Sequence, residues 1–198
     1  TSMLVVSAGI TLTLDSIALV NGSSAGNGGT IYNAGTLEFI NSRISDSTAG
    51  LPGGAIYNAS SGTLEVEGAL FERNTVVDGQ HGGAIATDGV ATIVGSVFDT
   101  NRAAYGGAIF GSNTVTITDS TLRSNTATAN GGGYFGSGQL TVERSIFSGN
   151  SSGGDGAGLG VYGSGPHAIT NSTFSGNQAA GKAAILAQST VLTILATT

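Results

Sequence analysis

The stretch Gly53-Gly54-Ala55-Ile56-Tyr57-Asn58 decides the fold, because its first four residues return along the chain. Further copies of Gly-Gly-Ala-Ile begin at Gly82 and Gly106, and weaker copies begin at Gly28, Gly131, Gly158 and Lys182. The spacings between the seven starts are 25, 29, 24, 25, 27 and 24 residues. A period of this length predicts a protein built from stacked repeats.

A second motif follows each of the first six copies. It consists of an apolar residue and, three places later, Asn or Ser: Ile44/Ser47, Phe71/Asn74, Phe98/Asn101, Leu122/Asn125, Phe147/Asn150 and Phe174/Asn177. Between the two motifs lies a short alternating segment such as Thr63-Leu64-Glu65-Val66. Alternation with a period of two predicts β-strands, and each unit is expected to contain three of them.

Aligning the units on the middle strand gives two apolar columns. They are Leu12, Leu37, Leu64, Ala91, Val115, Leu140, His167, Leu192 and Leu14, Phe39, Val66, Ile93, Ile117, Val142, Ile169, Ile194. Because successive strand residues face opposite sides, both columns should point inward. One unit cannot bury its own apolar face, whereas coils stacked about 4.8 Å apart pair every strand with a neighbour. The sequence therefore predicts an all-β parallel β-helix of about seven coils of 24–29 residues.

The two motifs alternate over roughly residues 28–187. In this they resemble the passenger repeats of the chlamydial polymorphic outer-membrane proteins and of related bacterial surface β-helix proteins. The resemblance implies a right-handed parallel β-helix that is displayed at a cell surface and often adhesive. It weakens in the last copies, which lose Gly-Gly.

We expect one domain over residues 1–198, with a degenerate first coil in 1–27, the repeats in 28–187 and a last strand in 188–198. That last strand, Val191-Leu192-Thr193-Ile194-Leu195, is not followed by a capping helix. An uncovered coil is an open sheet edge. The sequence therefore predicts either that the natural chain continues or that the ends self-associate with another copy.

Composition narrows the functional classes. The chain has 34 glycines, 9% charged residues, no cysteine and a net charge of −6. It lacks the basic patch that nucleic acid demands and a disulfide framework, and no stretch is apolar enough for a transmembrane segment. This composition is typical of an extracellular or cell-surface protein, whose partner would be a host or matrix surface, either glycan or protein.

The repeated asparagines predict a structural ladder. Stacked amides at one corner can bond to one another and to the turn backbone. Its members are Asn74, Asn101, Asn125, Asn150 and Asn177.

Ligand binding is predicted at an aromatic column that follows the inward Ile of the Gly-Gly motif. The candidate residues are Tyr32, Tyr57, Phe110, Phe135 and Tyr162. Strand alternation places them on the outside, where an exposed stripe would form a binding surface. A half-buried position under the loops is the alternative.

Two other functions stay open. A partial Thr-x-Thr face predicts ice binding, through Thr11, Thr13, Thr36, Thr63, Thr92, Thr114, Thr116 and Thr141. Glu38 and Glu65 share one outward column, at a separation that suits paired carboxylates in a carbohydrate-active enzyme. We favour a solvated acidic patch there, with oxygens that would suit weak Ca²⁺ binding.

The two histidines, His81 and His167, lie three repeats apart, and neither has a nucleophile framed by a motif. No catalytic residue, metal ligand or cofactor is therefore predicted. The favoured function is a non-enzymatic adhesive or structural module.

Overall fold

The computed structural model describes residues 1–77, 79–163, 165–181, 183–188 and 190–196. Lys182, which begins the last predicted repeat, lies outside these ranges, as do positions 189, 197 and 198 of the predicted last strand. The described chain forms a right-handed parallel β-helix, which confirms the predicted fold class.

Among the described residues, each of the seven full coils contains four strands rather than the predicted three, because the chain after each corner adds a two-residue strand. The first four coils comprise β1 Leu4–Val6, β2 Thr11–Asp15, β3 Ala18–Val20, β4 Ser23–Ser24; β5 Ile31–Asn33, β6 Thr36–Ile40, β7 Arg43–Ser45, β8 Thr48–Ala49; β9 Ile56–Asn58, β10 Thr63–Glu67, β11 Leu70–Glu72, β12 Thr75–Val76; and β13 Ile85–Thr87, β14 Val90–Val94, β15 Val97–Asp99, β16 Arg102–Ala103.

The later coils continue the same order and end in a partial eighth coil of two strands. They comprise β17 Ile109–Gly111, β18 Val115–Thr118, β19 Thr121–Arg123, β20 Thr126–Ala127; β21 Tyr134–Gly136, β22 Leu140–Glu143, β23 Ile146–Ser148, β24 Ser151–Ser152; β25 Leu159–Tyr162, β26 Pro166–Thr170, β27 Thr173–Ser175, β28 Gln178–Ala179; and β29 Ile185–Gln188, β30 Val191–Leu195.

Equivalent strands of successive coils pair in parallel and form four sheets. Sheets A and B, from the first and second strands of each coil, have eight strands each, and sheets C and D have seven. The register matches the predicted columns, since Leu64 pairs with Leu37 and Ala91, and Val66 with Phe39 and Ile93.

The core fills the interior of the solenoid. Inward side chains from sheets A, B and C form one continuous apolar cluster. In sheet C the rings of Phe71 and Phe98 stack 4.8 Å apart and nearly parallel. Stacked coils therefore bury apolar surface that no single coil could bury.

The two positions of the Gly-Gly pair require glycine for different physical reasons. Gly53 has a φ of 84°, a left-handed conformation that glycine adopts without a steric penalty. A Cβ atom on Gly54 would lie 2.0 Å from the carbonyl oxygen of Gly83 in the next coil. The first glycine thus makes the turn and the second allows two backbones to approach.

The five predicted ladder asparagines lie in consecutive coils and bond in series. The Nδ2 of Asn101 donates to the Oδ1 of Asn125, and the Nδ2 of Asn125 donates to the Oδ1 of Asn150, both at 3.0 Å. The same Nδ2 of Asn125 also donates to the carbonyl oxygen of Phe98. Asn74 and Asn177 extend the series at its two ends.

Two further polar ladders were missed from the sequence. Asn33 donates to Asn58, and Asn58 donates to Thr87, along the inside of sheet A. A serine column accepts backbone N–H groups between sheets B and C: Ser42, Ser96, Ser120, Ser145 and Ser172. Each ladder provides partners for polar groups that stacking would otherwise bury unpaired.

Candidate functional site

The predicted aromatic column runs along the outer side of sheet A. Tyr32 and Tyr57 form one pair, with ring centroids 5.6 Å apart. Ala86 interrupts the column, and Phe110 and Phe135 continue it at 6.4 Å. Tyr162 lies outside the register of this column, because Gly160 pairs with Phe135 and Tyr162 follows two residues later. Its ring nevertheless reaches that of Phe135, with centroids 5.1 Å apart.

Exposure varies strongly along this column. Phe110 and Phe135 are only 9% and 7% exposed, whereas Tyr162 is 37% exposed. Tyr32 and Tyr57 are half-buried. Because Phe110 and Phe135 are buried, these residues do not form an uninterrupted exposed stripe.

An open groove of about 310 Å³ lies over the second half of the column. Its lining consists of His81, Tyr105, Phe110, Phe135, Tyr162 and Gln188. Three predicted residues are therefore brought together, while Tyr32 and Tyr57 lie outside this lining. We call this surface the aromatic groove.

The sequence analysis missed three groove residues: Gln188, His81 and Tyr105. The backbones of His81 and Tyr105 form an isolated parallel bridge, and their rings meet edge to face at 5.3 Å. The His81 ring also lies 4.4 Å from Phe110, and Tyr105 lies 5.4 Å from Phe135. One signal was available: each of the two residues comes directly before Gly-Gly, in consecutive repeats.

Gly160 makes room for the groove. It pairs with Phe135 in the next strand of sheet A, at a position where another outward side chain would stand. A Cβ atom there would lie 2.6 Å from the Cδ2 of Phe135. Without that side chain, Phe135 can lie over Gly160 and reach Tyr162.

Among the residues that the structure describes, the groove lining contains no carboxylate and no Lys or Arg side chain. Burial lowers the pKa of His81, although the charge of Asp88 opposes this shift, so the imidazole is neutral at pH 7. Asp88 itself accepts hydrogen bonds from the hydroxyls of Tyr57 and Ser112. The groove therefore presents aromatic rings, two phenol hydroxyls, an imidazole and one amide.

A second groove of about 290 Å³ lies on sheet B, at the paired glutamates. Its lining consists of Glu38, Ile40, Glu65, Val66, Glu67, Thr92 and Val94. Glu38 and Glu65 are direct partners in the sheet, as their shared column predicts, and Thr13 donates a hydrogen bond to Glu38. Within the described part of the chain, no aromatic or basic side chain belongs to this lining.

The described arginines are mostly engaged at the corners. Three of them pair with an aspartate of the preceding coil: Arg73 with Asp46, Arg123 with Asp99, and Arg144 with Asp119. The hydrogen bond from Arg73 lowers the pKa of Asp46. These cations serve the coil corners rather than either groove.

The outward threonines of sheet B do not form an unbroken row. In register, the column runs Thr13, Glu38, Glu65, Thr92, Thr116, Thr141, Ala168 and Thr193. Its longest run of consecutive threonines spans three coils. The companion column holds Thr11, Thr36 and Thr63 before Val90, and Thr114 follows in the next coil.

Across the parts of the chain that the structure describes, no cluster of three or more His, Cys, Asp or Glu side chains has an arrangement suited to a metal ion. The same residues contain no helix with the length and apolar character needed to cross a membrane.

A family model for the right-handed β-helix region matches residues 8–195, which is nearly the whole chain. No curated protein and no solved structure matches the chain significantly.

Proposed function

The chain belongs to the right-handed β-helix family, and from that premise we propose that it is a non-enzymatic adhesive module that works outside the cell or at its surface. Its binding site in this proposal is the aromatic groove, and its ligand is an uncharged glycan of a host or matrix surface. The observation that carries the proposal is a concave surface where six side chains from separate coils converge.

The chemistry of the groove favours a neutral ligand. Aromatic rings bind the apolar faces of sugar rings, while hydroxyl and amide groups orient their hydroxyls. Tyr105, Tyr162 and Gln188 supply those polar groups, and none of the described lining residues carries a formal charge. A charged ligand would find no opposite charge among these residues.

Adhesion also agrees with the shape of the fold. A solenoid presents its repeats along one axis, so several weak contacts can act together on an extended surface. The resemblance of the linked motifs to the chlamydial polymorphic outer-membrane passengers and related surface proteins supports the same location and role.

Catalysis has less support at the acidic groove. Glu38 and Glu65 are adjacent, but an acid–base pair needs environments that separate the two pKa values. Apart from Glu38 and Glu65, the described lining consists of a third carboxylate, a threonine and three aliphatic side chains. Ice binding has less support too, because two glutamates interrupt the threonine column.

The test is binding of the purified protein to immobilised neutral glycans and to extracellular matrix. Tyr162→Ala removes the most exposed ring and should weaken binding by roughly tenfold or more, as expected for an aromatic hot spot. Tyr32→Ala is the matched control, because Tyr32 is a tyrosine of the same sheet that lies outside the groove. Equal losses in both variants would reject the groove as the site.

Two further variants separate the alternatives. Glu65→Gln and Thr116→Leu should leave binding unchanged. Glycan cleavage that disappears in Glu65→Gln would establish the carbohydrate-active alternative instead. Thermal hysteresis that disappears in Thr116→Leu would establish ice binding.

A further inference from the structure

His167 is the one polar member of an otherwise aliphatic inward column. It is 2% exposed and pairs in sheet B with Leu192, while Leu140 precedes it in the column. Its Nδ1 accepts a hydrogen bond from the backbone N–H of Leu140 at 3.3 Å. Its Nε2 is buried without a partner among the described residues.

This hydrogen bond requires the neutral ring. An Nδ1 that accepts an N–H carries no proton, so the proton of the neutral imidazole is on Nε2. A second proton would have to bind at Nδ1, where it would face the N–H of Leu140. Protonation therefore removes this hydrogen bond and makes two donors face each other, the Nδ1–H of His167 and the backbone N–H of Leu140.

Among the described residues of the strands around His167, none compensates a positive charge. In the paired strands β22 and β30, the only titratable side chain is Glu143, which is paired with Arg144 at the surface. Strand β27 has none, and β25 contributes only Tyr162, which is exposed. The buried phenol of Tyr134 in β21 is uncharged, because burial raises its pKa.

We propose that His167 is an acid-sensitive switch: its protonation opens the coils that contain β25–β30 while the central coils stay folded. Coils of a solenoid contact only their neighbours, and β29 and β30 are edge strands of sheets A and B, so these coils can open separately. Tyr162 and Gln188 belong to these coils, and their release would dismantle one wall of the aromatic groove. That last consequence rests on the proposed function, whereas the acid lability does not.

The direction follows from proton linkage. Burial lowers the pKa of His167 in the folded state, so the unfolded coil binds the proton more readily. The stabilising contribution is complete above the unfolded pKa of about 6.5 and is lost as the pH falls below it. Below that pH, the equilibrium constant for opening the coils rises by up to about tenfold per pH unit.

Hydrogen exchange with peptide resolution tests the switch on the full chain, after correction for intrinsic exchange rates. Between pH 7.5 and 5, protection of β26 and β30 should fall by tenfold or more in the wild type, while β14 and β18 keep theirs. His167→Leu, which restores the residue type of the column, should abolish this loss. His81→Gln, the matched control, should retain it.

An identical acid loss in wild type and His167→Leu, or a uniform loss along the solenoid, overturns the proposal. An NMR titration of the wild type tests it without any variant. If His167 protonates near pH 6.5 while β26 stays protected, the switch does not exist. Neither measurement uses a ligand, so failure of the glycan proposal would leave both results unaffected.

Discussion

Phe147-Ser148-Gly149-Asn150 and Phe174-Ser175-Gly176-Asn177 are the same four residues in consecutive coils, yet the structure treats them differently. Phe147 is fully buried and Phe174 is half-buried, although their rings stack on each other at 4.7 Å. Phe147 lies between Leu122 and Phe174 in sheet C, whereas β27, which carries Phe174, is the edge strand of that sheet. The motif sets which way a side chain points, and the number of neighbouring coils sets how deeply it is buried.

The largest difference between the two motifs is expected from removing the rings. Phe147→Ala should lower the free energy of unfolding by about 3–5 kcal/mol, since it leaves a cavity between two covered faces. Phe174→Ala should cost roughly half as much, because water already reaches one side of the ring. Urea unfolding would measure both.

The comparison requires that both variants unfold with the wild-type dependence on urea. If a solenoid end unfolds separately, the Phe174 variant would show a second transition, and hydrogen exchange would then locate the loss. Equal costs at the two positions would contradict the account based on neighbouring coils.

The sequence predicted the features that depend on residue type and period. Strand alternation places Leu64 and Val66 on one face, and their apolar character indicates that this face is buried. The column of Asn125 repeats an amide in each coil, so that the amides can pair between coils. These properties are local to one repeat and its copies. They could therefore be predicted before any coordinates.

The properties of the outer surface could not be predicted in the same way. Phe110 and Phe135 alternate outward as expected, yet neighbouring rings cover them. His81 pairs with Tyr105 of the next unit, and its ring reaches Phe110. Exposure there depends on side chains from three or more coils, and a pattern within one repeat contains no such information.

A smaller difference between the two motifs is expected at the asparagines. Asn150 is buried; its Oδ1 accepts from the backbone and side chain of Asn125, and its Nδ2 donates to Leu122 and Asn177. Asn150→Ala should therefore cost about 1–3 kcal/mol, because buried donors lose their acceptor. Asn125→Ala should cost about the same.

Asn177→Ala should cost less than about 1 kcal/mol, since Asn177 is half-buried and water can replace part of its bonding. Thermal unfolding of the three variants, under conditions in which each is reversible, would rank them. A loss at Asn177 as large as that at Asn125 would mean that the ladder does not depend on burial.

No difference between the two motifs is expected at their glycines, Gly149 and Gly176. Gly149 and Gly176 have φ values of 61° and 62°, and a Cβ atom on either would approach no described atom closer than 3.8 Å. Alanine at either position should therefore lower the free energy of unfolding only by the cost of the left-handed conformation, about 1 kcal/mol. That cost does not depend on neighbouring coils. Non-glycine residues adopt that conformation at the same corner of earlier coils: Asp46, Arg73, Thr100 and Ser124.

Urea unfolding of Gly149→Ala and Gly176→Ala should show equal losses of unfolding free energy. Gly149→Asn should show a smaller loss, because asparagine tolerates this conformation better than alanine. A larger loss at Gly149 than at Gly176 would mean that the neighbouring coils also constrain the turn, so that conformation and burial would no longer be separate contributions.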